Sequence, residues 1–376
     1  MQIVAPSEVE PDERRTALTP DVVRRLVSAG DSIRVEAGAG RGSRIADADF
    51  TDAGARVVPP GELLAGAEVV VRVQPPSVEA IGSLPRGVVH LSLLDPYRSP
   101  ERLEAMARAG VTAISLEMVP RSTRAQKLDV LSSQASLAGY AAVLAAARAL
   151  PKIFPMMMTP AGTIPAARVF VIGAGVAGLQ AIATARRLGA RVEAFDTRPV
   201  VAEEVRSLGA KFVEIDLGGE TGQTEQGYAR ELTPEQLARQ KEGMADAIAR
   251  ADVVITTAQL FGRPAPRIVT REMVAAMRRG SVVIDMATAT GGNVEGSRHG
   301  ETVEVDGVRV VGPANLPAEV SVDATRVFAS NVAAFIEEFR DAESGAFRVD
   351  LDDEILARSV VTHAGDVVHP DLRERT

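Results

Sequence analysis

Short apolar runs along this chain are separated by longer stretches in which apolar and polar residues recur with helical spacing. Gln2–Pro6, Ser32–Glu36, Ala67–Val73, Gly87–Leu94 and Thr112–Ser115 read as strands, with helical patterns such as Glu101–Ala109 between them. Thr19-Pro20 marks a helix start. A threonine N-cap accepts from a free N–H, and a proline at the next position has no N–H to leave unpaired. The helix predicted there covers Asp21–Ala29. Strands alternating with helices imply a parallel sheet built from βαβ units, so the fold class predicted is α/β. No repeat of fixed period and no low-complexity tract interrupts the pattern.

The pattern changes at Leu131–Leu150, an alanine- and leucine-rich stretch that predicts a long buried helix. A second βαβ series runs from Arg168 to about Val311, and Asp323–Phe339 predicts another long helix. Two long helices flanking the second series imply that the chain crosses from one domain to another and then returns. The domains predicted are 1–134 plus 320–376, and 135–319, each a Rossmann-like doubly wound sheet. A length of 376 residues suits two such domains. The tail from Ala346 contains a β-like Ser359–His363 and is assigned no function.

Composition then narrows the chemistry. With 42 basic and 50 acidic residues the net charge is −8, which argues against a nucleic-acid partner, because no cation excess is present to displace counterions. The absence of cysteine excludes disulfides, thiolate nucleophiles and Cys-ligated metals, and no metal site is predicted. The start has no basic segment followed by an apolar stretch, so no secretory signal is expected. The longest charge-free run, Val130 to Ala147, holds three serines, a glutamine and a glycine, and reads as too polar and slightly short to span a membrane. A soluble, cytoplasmic chain is expected.

The most informative local motif opens the second series. The apolar strand Val169-Phe170-Val171-Ile172 runs into Gly173-Ala174-Gly175-Val176-Ala177-Gly178 and then the helical pattern Leu179–Leu188. Gly173 permits a tight turn, Gly175 lets the backbone approach a pyrophosphate, and Gly178 allows close helix–strand packing. A second strand, Arg191–Phe195, ends at Asp196, 18 residues past Gly178. A carboxylate there accepts from a ribose 2′-OH and repels a 2′-phosphate; Arg198 leans toward NADP, but Asp196 holds the strand-end position, so the motif reads as NAD(H)-binding. Thr256, Gln259 and the Thr288–Asn293 loop follow later strand ends and are expected to border the nicotinamide half. Gly218–Arg230, with Tyr228, is either a surface insertion or a mobile lid.

A polar cluster between the two series carries a resemblance. Arg121-Ser122-Thr123-Arg124-Ala125-Gln126-Lys127-Leu128-Asp129-Val130-Leu131-Ser132-Ser133-Gln134 closely resembles the signature loop of the proton-translocating nicotinamide nucleotide transhydrogenases, as do Phe154–Thr159 and Val176–Leu188. The likeness runs from Ile3 through at least His369 and looks like the family's NAD(H)-binding component. That resemblance implies a homodimer of chains with two Rossmann-type domains each, and hydride transfer to NADP(H) held by a separate partner domain. It further implies proton translocation by membrane-spanning subunits, which would hold the chain peripherally on the cytoplasmic face of the inner membrane. Carried over by position, the loop residues that orient the dihydronicotinamide and its ribose are Arg121, Gln126, Asp129 and Ser132, with Lys127 and Leu128 also against the cofactor. Val176-Ala177-Gly178 matches the pyrophosphate turn and Asp196-Thr197-Arg198 the adenosine ribose contacts. Tyr228, with Gly227 beside it, matches the mobile-loop tyrosine, and Gln240 and Gln259 match further nucleotide contacts. Lys127-Leu128 departs from the family's usual Ser-Met.

Alanine dehydrogenases resemble the same N-terminal half, including Glu13-Arg14-Arg15-Thr16-Ala17-Leu18-Thr19-Pro20. In that family an arginine at the position of Arg15 binds a carboxylate, and a lysine and a histidine serve the keto acid. Amine oxidation needs such groups because it moves protons as well as a hydride. Here the lysine position is Gln74, the histidine region reads Leu93-Leu94-Asp95-Pro96, and no lysine precedes Lys127. His90 lies inside an apolar run, where a core role is expected. Hydride transfer between two nicotinamides needs mainly positioning. A non-catalytic NAD(H) sensor is the remaining alternative.

Overall fold

Valine- and isoleucine-rich runs form the centres of two sheets, as suits stiff β-branched side chains on a pleated surface. The computed structural model describes residues 1–218, 222, 230 and 232–373. The chain divides into two units, Met1–Gln134 with Ala318–Thr376, and Ala135–Pro317. Both are α/β and Rossmann-like.

The first unit holds β1 (Gln2–Ala5), β2 (Ser32–Glu36), β3 (Arg56–Val58), β4 (Val69–Val71), β5 (Val89–Ser92) and β6 (Thr112–Ser115), all parallel. Two tail strands, Val360–His363 and Asp366–Val367, extend the sheet beyond β6 in antiparallel pairing. Purely parallel pairing, as read from the alternation, therefore fails at this edge. Ala364 and Gly365 both take positive φ (51° and 96°), the conformation of a two-residue hairpin, and such a hairpin joins only antiparallel strands. The order …β5-β4-β1-β2-β3 places the reversal of strand order between β1 and β4. Helix Pro20–Ser28 starts as its sequence predicts, with the Val22 N–H donating to the Thr19 hydroxyl. The return helix Ser321–Glu338 buries Phe328, Phe335 and, at its end, Phe339 against Val71, Leu91 and Ile114.

The first strands of the second unit form an exposed hairpin, β7 (Met157–Thr159) and β8 (Gly162–Ile164). Its sheet comprises β9 (Arg168–Ile172), β10 (Arg191–Phe195), β11 (Lys211–Phe212), β12 (Val253–Thr256), β13 (Val282–Asp285), β14 (Thr302–Val305) and β15 (Val308–Val311), in the order β11-β10-β9-β12-β13-β15-β14. All pair in parallel except β14 with β15, joined by Asp306-Gly307 with φ of 49° and 83°. The reversal of order falls between β9 and β12.

The unit boundary lies within the helix Val130–Ala149, whose Ala138, Ala142, Val143 and Ala146 join the second core. By length and composition this helix is apolar enough to cross a membrane, contrary to the reading of its sequence; a little under half of it is buried in the protein. Its serines and glutamine all fall in the first two turns, which leaves the remainder alanine- and leucine-rich.

Candidate functional site

In the second unit, β9 delivers the chain to Gly173, where φ is +97° and a Cβ would lie 2.5 Å from the Thr257 hydroxyl. That hydroxyl donates to the Gly173 carbonyl at 3.0 Å and fixes the turn. A Cβ on Gly178 would lie 1.9 Å from the same carbonyl oxygen, so helix Val176–Arg187 can approach the strand only through glycine. Gly175 is different. Nothing lies within 4 Å of the place its Cβ would take, and as N-cap it provides no side-chain acceptor. The first N–H groups of the helix, from Val176 and Ala177 onward, therefore keep no intrahelical partner and sit at the positive end of the helix dipole. An open glycine in front of unpaired N–H groups fits the pyrophosphate of a dinucleotide. One contributor escaped the sequence reading. Gly139 of the long helix lies so close that its Cβ would stand 2.1 Å from the Ala177 carbonyl oxygen.

Around this turn several expectations change. Asp196 accepts from the Ala174 N–H at 2.7 Å and from the backbone N–H, Nε and Nη2 of Arg198 at 2.8–2.9 Å. Those four bonds occupy the lone pairs of both oxygens, so a ribose hydroxyl reaches Asp196 only by displacing Arg198. Thr197 is half-buried beside the pair. Thr256, expected to border the nicotinamide half, is fully buried and donates to Asp285 at 3.2 Å. Asn293 is likewise buried, bonded through its amide to Ala258 and Pro266, and Asp285 also accepts from the N–H groups of Ala287, Asn293 and Val294. The Thr288–Asn293 loop is thus held from within. Gln259 is exposed and donates to the Met286 carbonyl at 3.4 Å. Gln240 is buried on helix Pro234–Arg250. Gly227 and Tyr228 lie outside the described residues.

In the first unit the polar loop turns through a short 3-10 segment, Gln126–Leu128. Arg121, Gln126 and Lys127 are exposed, and Leu128 is fully buried in the hydrophobic core. The 3-10 turn swings Leu128 inward and its neighbours outward. Lys127 pairs with Glu338 at 2.7 Å. Asp129 sits at the start of helix Val130–Ala149, where its carboxylate accepts from the Ser132 N–H at 2.9 Å and the Ser132 hydroxyl at 2.6 Å. Two residues carried over from the resemblance thus pair with each other as a helix cap.

Two family models cover most of the chain: the alanine dehydrogenase/PNT N-terminal domain matches residues 4–138 and the corresponding C-terminal domain residues 142–370. A Rhodospirillum rubrum protein named as a part of NAD(P) transhydrogenase subunit alpha is 42% identical over 99% of both chains. The chain belongs to the NAD(P) transhydrogenase alpha-subunit family. A transhydrogenase structure from Sinorhizobium meliloti superposes with a TM-score of 0.87 at 44% identity, covering 99% of this chain and 100% of that one. Alanine dehydrogenase is a more distant relative: the Bacillus subtilis protein is 30% identical over 98% of this chain and 93% of its own, and an L-alanine dehydrogenase structure gives a TM-score of 0.82 at 27% identity, covering 100% and 98%.

At the carboxyl ends of β1 and β4 the chain's own polar side chains bond to one another. Glu13 grips the buried Arg15 guanidinium with both oxygens, at 2.8 Å to Nε and 2.6 Å to Nη2. Arg15 Nη1 donates to Gln134 at 2.8 Å, and Gln74 Nε2 donates to Glu13 at 2.7 Å. His90 is fully buried inside β5, where burial pushes its pKa down to about 3. Glu8 accepts from the N–H groups of Val73 and Gln74, yet burial pushes its carboxyl from 4.5 up to about 7. Because the folded value lies above the unfolded one, the associated stability is fully present below pH 4.5 and is lost as pH rises through 7. Glu8→Gln should flatten that decline, so that the melting temperature falls less than in the unmodified protein between about pH 5 and 8. Identical slopes in calorimetry would contradict this origin.

Proposed function

We propose that this chain binds NAD(H) and presents its nicotinamide to NADP(H) held by a partner domain. Hydride passes directly between the nucleotides, and membrane-spanning subunits couple the transfer to proton translocation at the cytoplasmic face of the inner membrane. The observation that carries this reading over an amino-acid dehydrogenase is the commitment of Arg15 to Glu13 and Gln134, with Gln74 where that chemistry needs a lysine. The nicotinamide supplies a hydride acceptor or donor at C4. The glycine turn from Gly173 to Gly178 holds the pyrophosphate, and Arg121, Gln126, Asp129 and Ser132 orient the ring. With its oxygens engaged by Ser132, Asp129 acts by hydrogen bonding and moves no proton. The relatives from Cereibacter sphaeroides and Haemophilus influenzae are named subunit alpha, and this chain spans 71% and 72% of their lengths, which fits a component working beside further domains.

The test is to mix the chain with an NADP(H)-binding transhydrogenase domain and follow reduction of an NAD analogue by NADPH. Reduction that needs both proteins is the expected result. No reaction at saturating partner would favour a sensor, and alanine-dependent NAD⁺ reduction by the chain alone would restore the dehydrogenase reading.

A homodimer belongs to the same proposal. All six strand residues of the β7–β8 hairpin are exposed, with Met158 at 79%. An isolated two-stranded hairpin is marginal in water, and apolar exposure of this kind marks an interface. Beside it an open pocket of about 680 Å³ is lined by Leu150, Ile153, Phe154, Ile164 and Leu188, apolar surface that suits a second copy of the same hairpin region. Met158→Asp combined with Ile164→Asp is expected to convert a dimer into a monomer in analytical ultracentrifugation. Retention of the dimer by this variant would place the interface elsewhere.

A further inference from the structure

The return helix meets the polar loop at Ala324, Asn331 and Glu338. These positions are seven residues apart and therefore lie on one face, because seven residues make close to two helical turns. Gln134 Nε2 donates to the Ala324 carbonyl at 3.0 Å. Asn331 Nδ2 donates to the Lys127 carbonyl at 2.8 Å, and the Ser133 hydroxyl donates to Asn331 Oδ1 at 2.8 Å. Glu338 receives Lys127 Nζ at 2.7 Å and Arg124 Nε at 2.9 Å, while Arg124 Nη1 reaches Asp353 at 2.7 Å.

We propose that Asn331 is a positioning residue for hydride transfer: its amide pins Lys127 on one side and Ser133 on the other, and so holds Asp129 and Ser132 in place before the nucleotide arrives. This rests on the orienting role proposed for the loop. Asparagine suits the task because the Lys127 carbonyl requires a donor and the Ser133 hydroxyl an acceptor, and a side-chain amide offers both at once. The neighbouring Phe328, Val332 and Phe335 supply the core contacts of the helix, so removing the amide leaves its packing in place. The ion pairs at Arg124 and Lys127 are weaker candidates for the same task. Both cations are substantially exposed, and exposed pairs contribute little and are screened by salt.

Asn331→Leu should lower the single-turnover rate of hydride transfer in the complex by roughly tenfold or more, because small displacements of an orienting group are costly in rate. The dissociation constant for NADH should stay within about threefold, since the pyrophosphate turn is untouched. Asn331→Asp should be similarly slow, because a carboxylate cannot donate to the Lys127 carbonyl. Ser133→Ala removes one of the two bonds of Asn331, along with the bond from the same hydroxyl to the Val130 carbonyl at 3.1 Å, should lose less, and keeps the proposal testable if Asn331→Leu folds poorly. Asp129→Asn run in the same assay separates the two levels. If it transfers hydride at the normal rate, the loop reading itself fails. If it is slow while Asn331→Leu and Ser133→Ala are normal, the loop reading stands and the positioning role of Asn331 is overturned. Loss of NADH affinity with an unchanged bound-state rate would overturn it as well.

Discussion

Gly178→Ala is expected to abolish NADH binding and to lower the melting temperature of the second unit. The added methyl would sit 1.9 Å from the Gly173 carbonyl oxygen and 2.9 Å from its carbon, against backbone that no rotamer change can clear. Helix Val176–Arg187 must retreat from β9, and the retreat drives Ala177 toward Gly139, where the fit is already closed to any side chain. Overpacking of a well-packed interior costs about 1–3 kcal/mol, and a collision between two backbones belongs at or above the top of that range. Moving the helix also disperses the N–H groups that hold the pyrophosphate, so a loss of roughly 100-fold or more in affinity is expected. Gly175→Ala is the informative companion. Its φ is −78° and its Cβ meets open space, so the fold should melt normally while the methyl obstructs the approach of a phosphate. Calorimetry and NADH titration of both variants check the pair. Normal melting and affinity in Gly178→Ala would refute the assignment of this turn.

Arg121→Ala and Asp129→Asn are expected to cut the hydride-transfer rate by roughly tenfold to a hundredfold while NADH affinity changes little. The choice of asparagine follows from the geometry. Asp129 caps helix Val130–Ala149 through the Ser132 N–H, and asparagine caps as well as aspartate, so the helix start survives while the negative charge is lost. Asp129→Ala would remove the cap too, at a cost of about 1 kcal/mol, and would mix a stability effect with the kinetic one. Single-turnover transfer measured beside equilibrium NADH binding separates orientation from affinity. Unchanged rates in both variants would remove this loop from the site.

Much of the nucleotide turn was legible because its demands are local. Gly173 needs positive φ, Gly178 needs the absence of a Cβ, and both follow from a strand running straight into a helix. The β14–β15 hairpin was legible too, in Asp306-Gly307 between valine-rich runs, although the alternation of strands and helices drew attention to parallel pairing instead. Other residues were not. Leu128 and Lys127 are adjacent and differ only in which way a 3-10 turn faces them, and Thr256 looks inward because β12 is covered on both faces.

Features that depend on a residue and its near neighbours are written in the chain: the α/β alternation, the Thr19-Pro20 helix start, the glycine turn and the lack of lysine before Lys127. Which polar groups remain available is settled only by packing. Asp196 is occupied by Arg198, Arg15 by Glu13 and Gln134, and the loop at Lys127 and Ser133 by Asn331, some two hundred positions further along the chain. Hydrogen-bond capacity is finite and is shared among groups that the fold brings together. Until the return helix packs against the loop, nothing in the order of residues says which partner claims it.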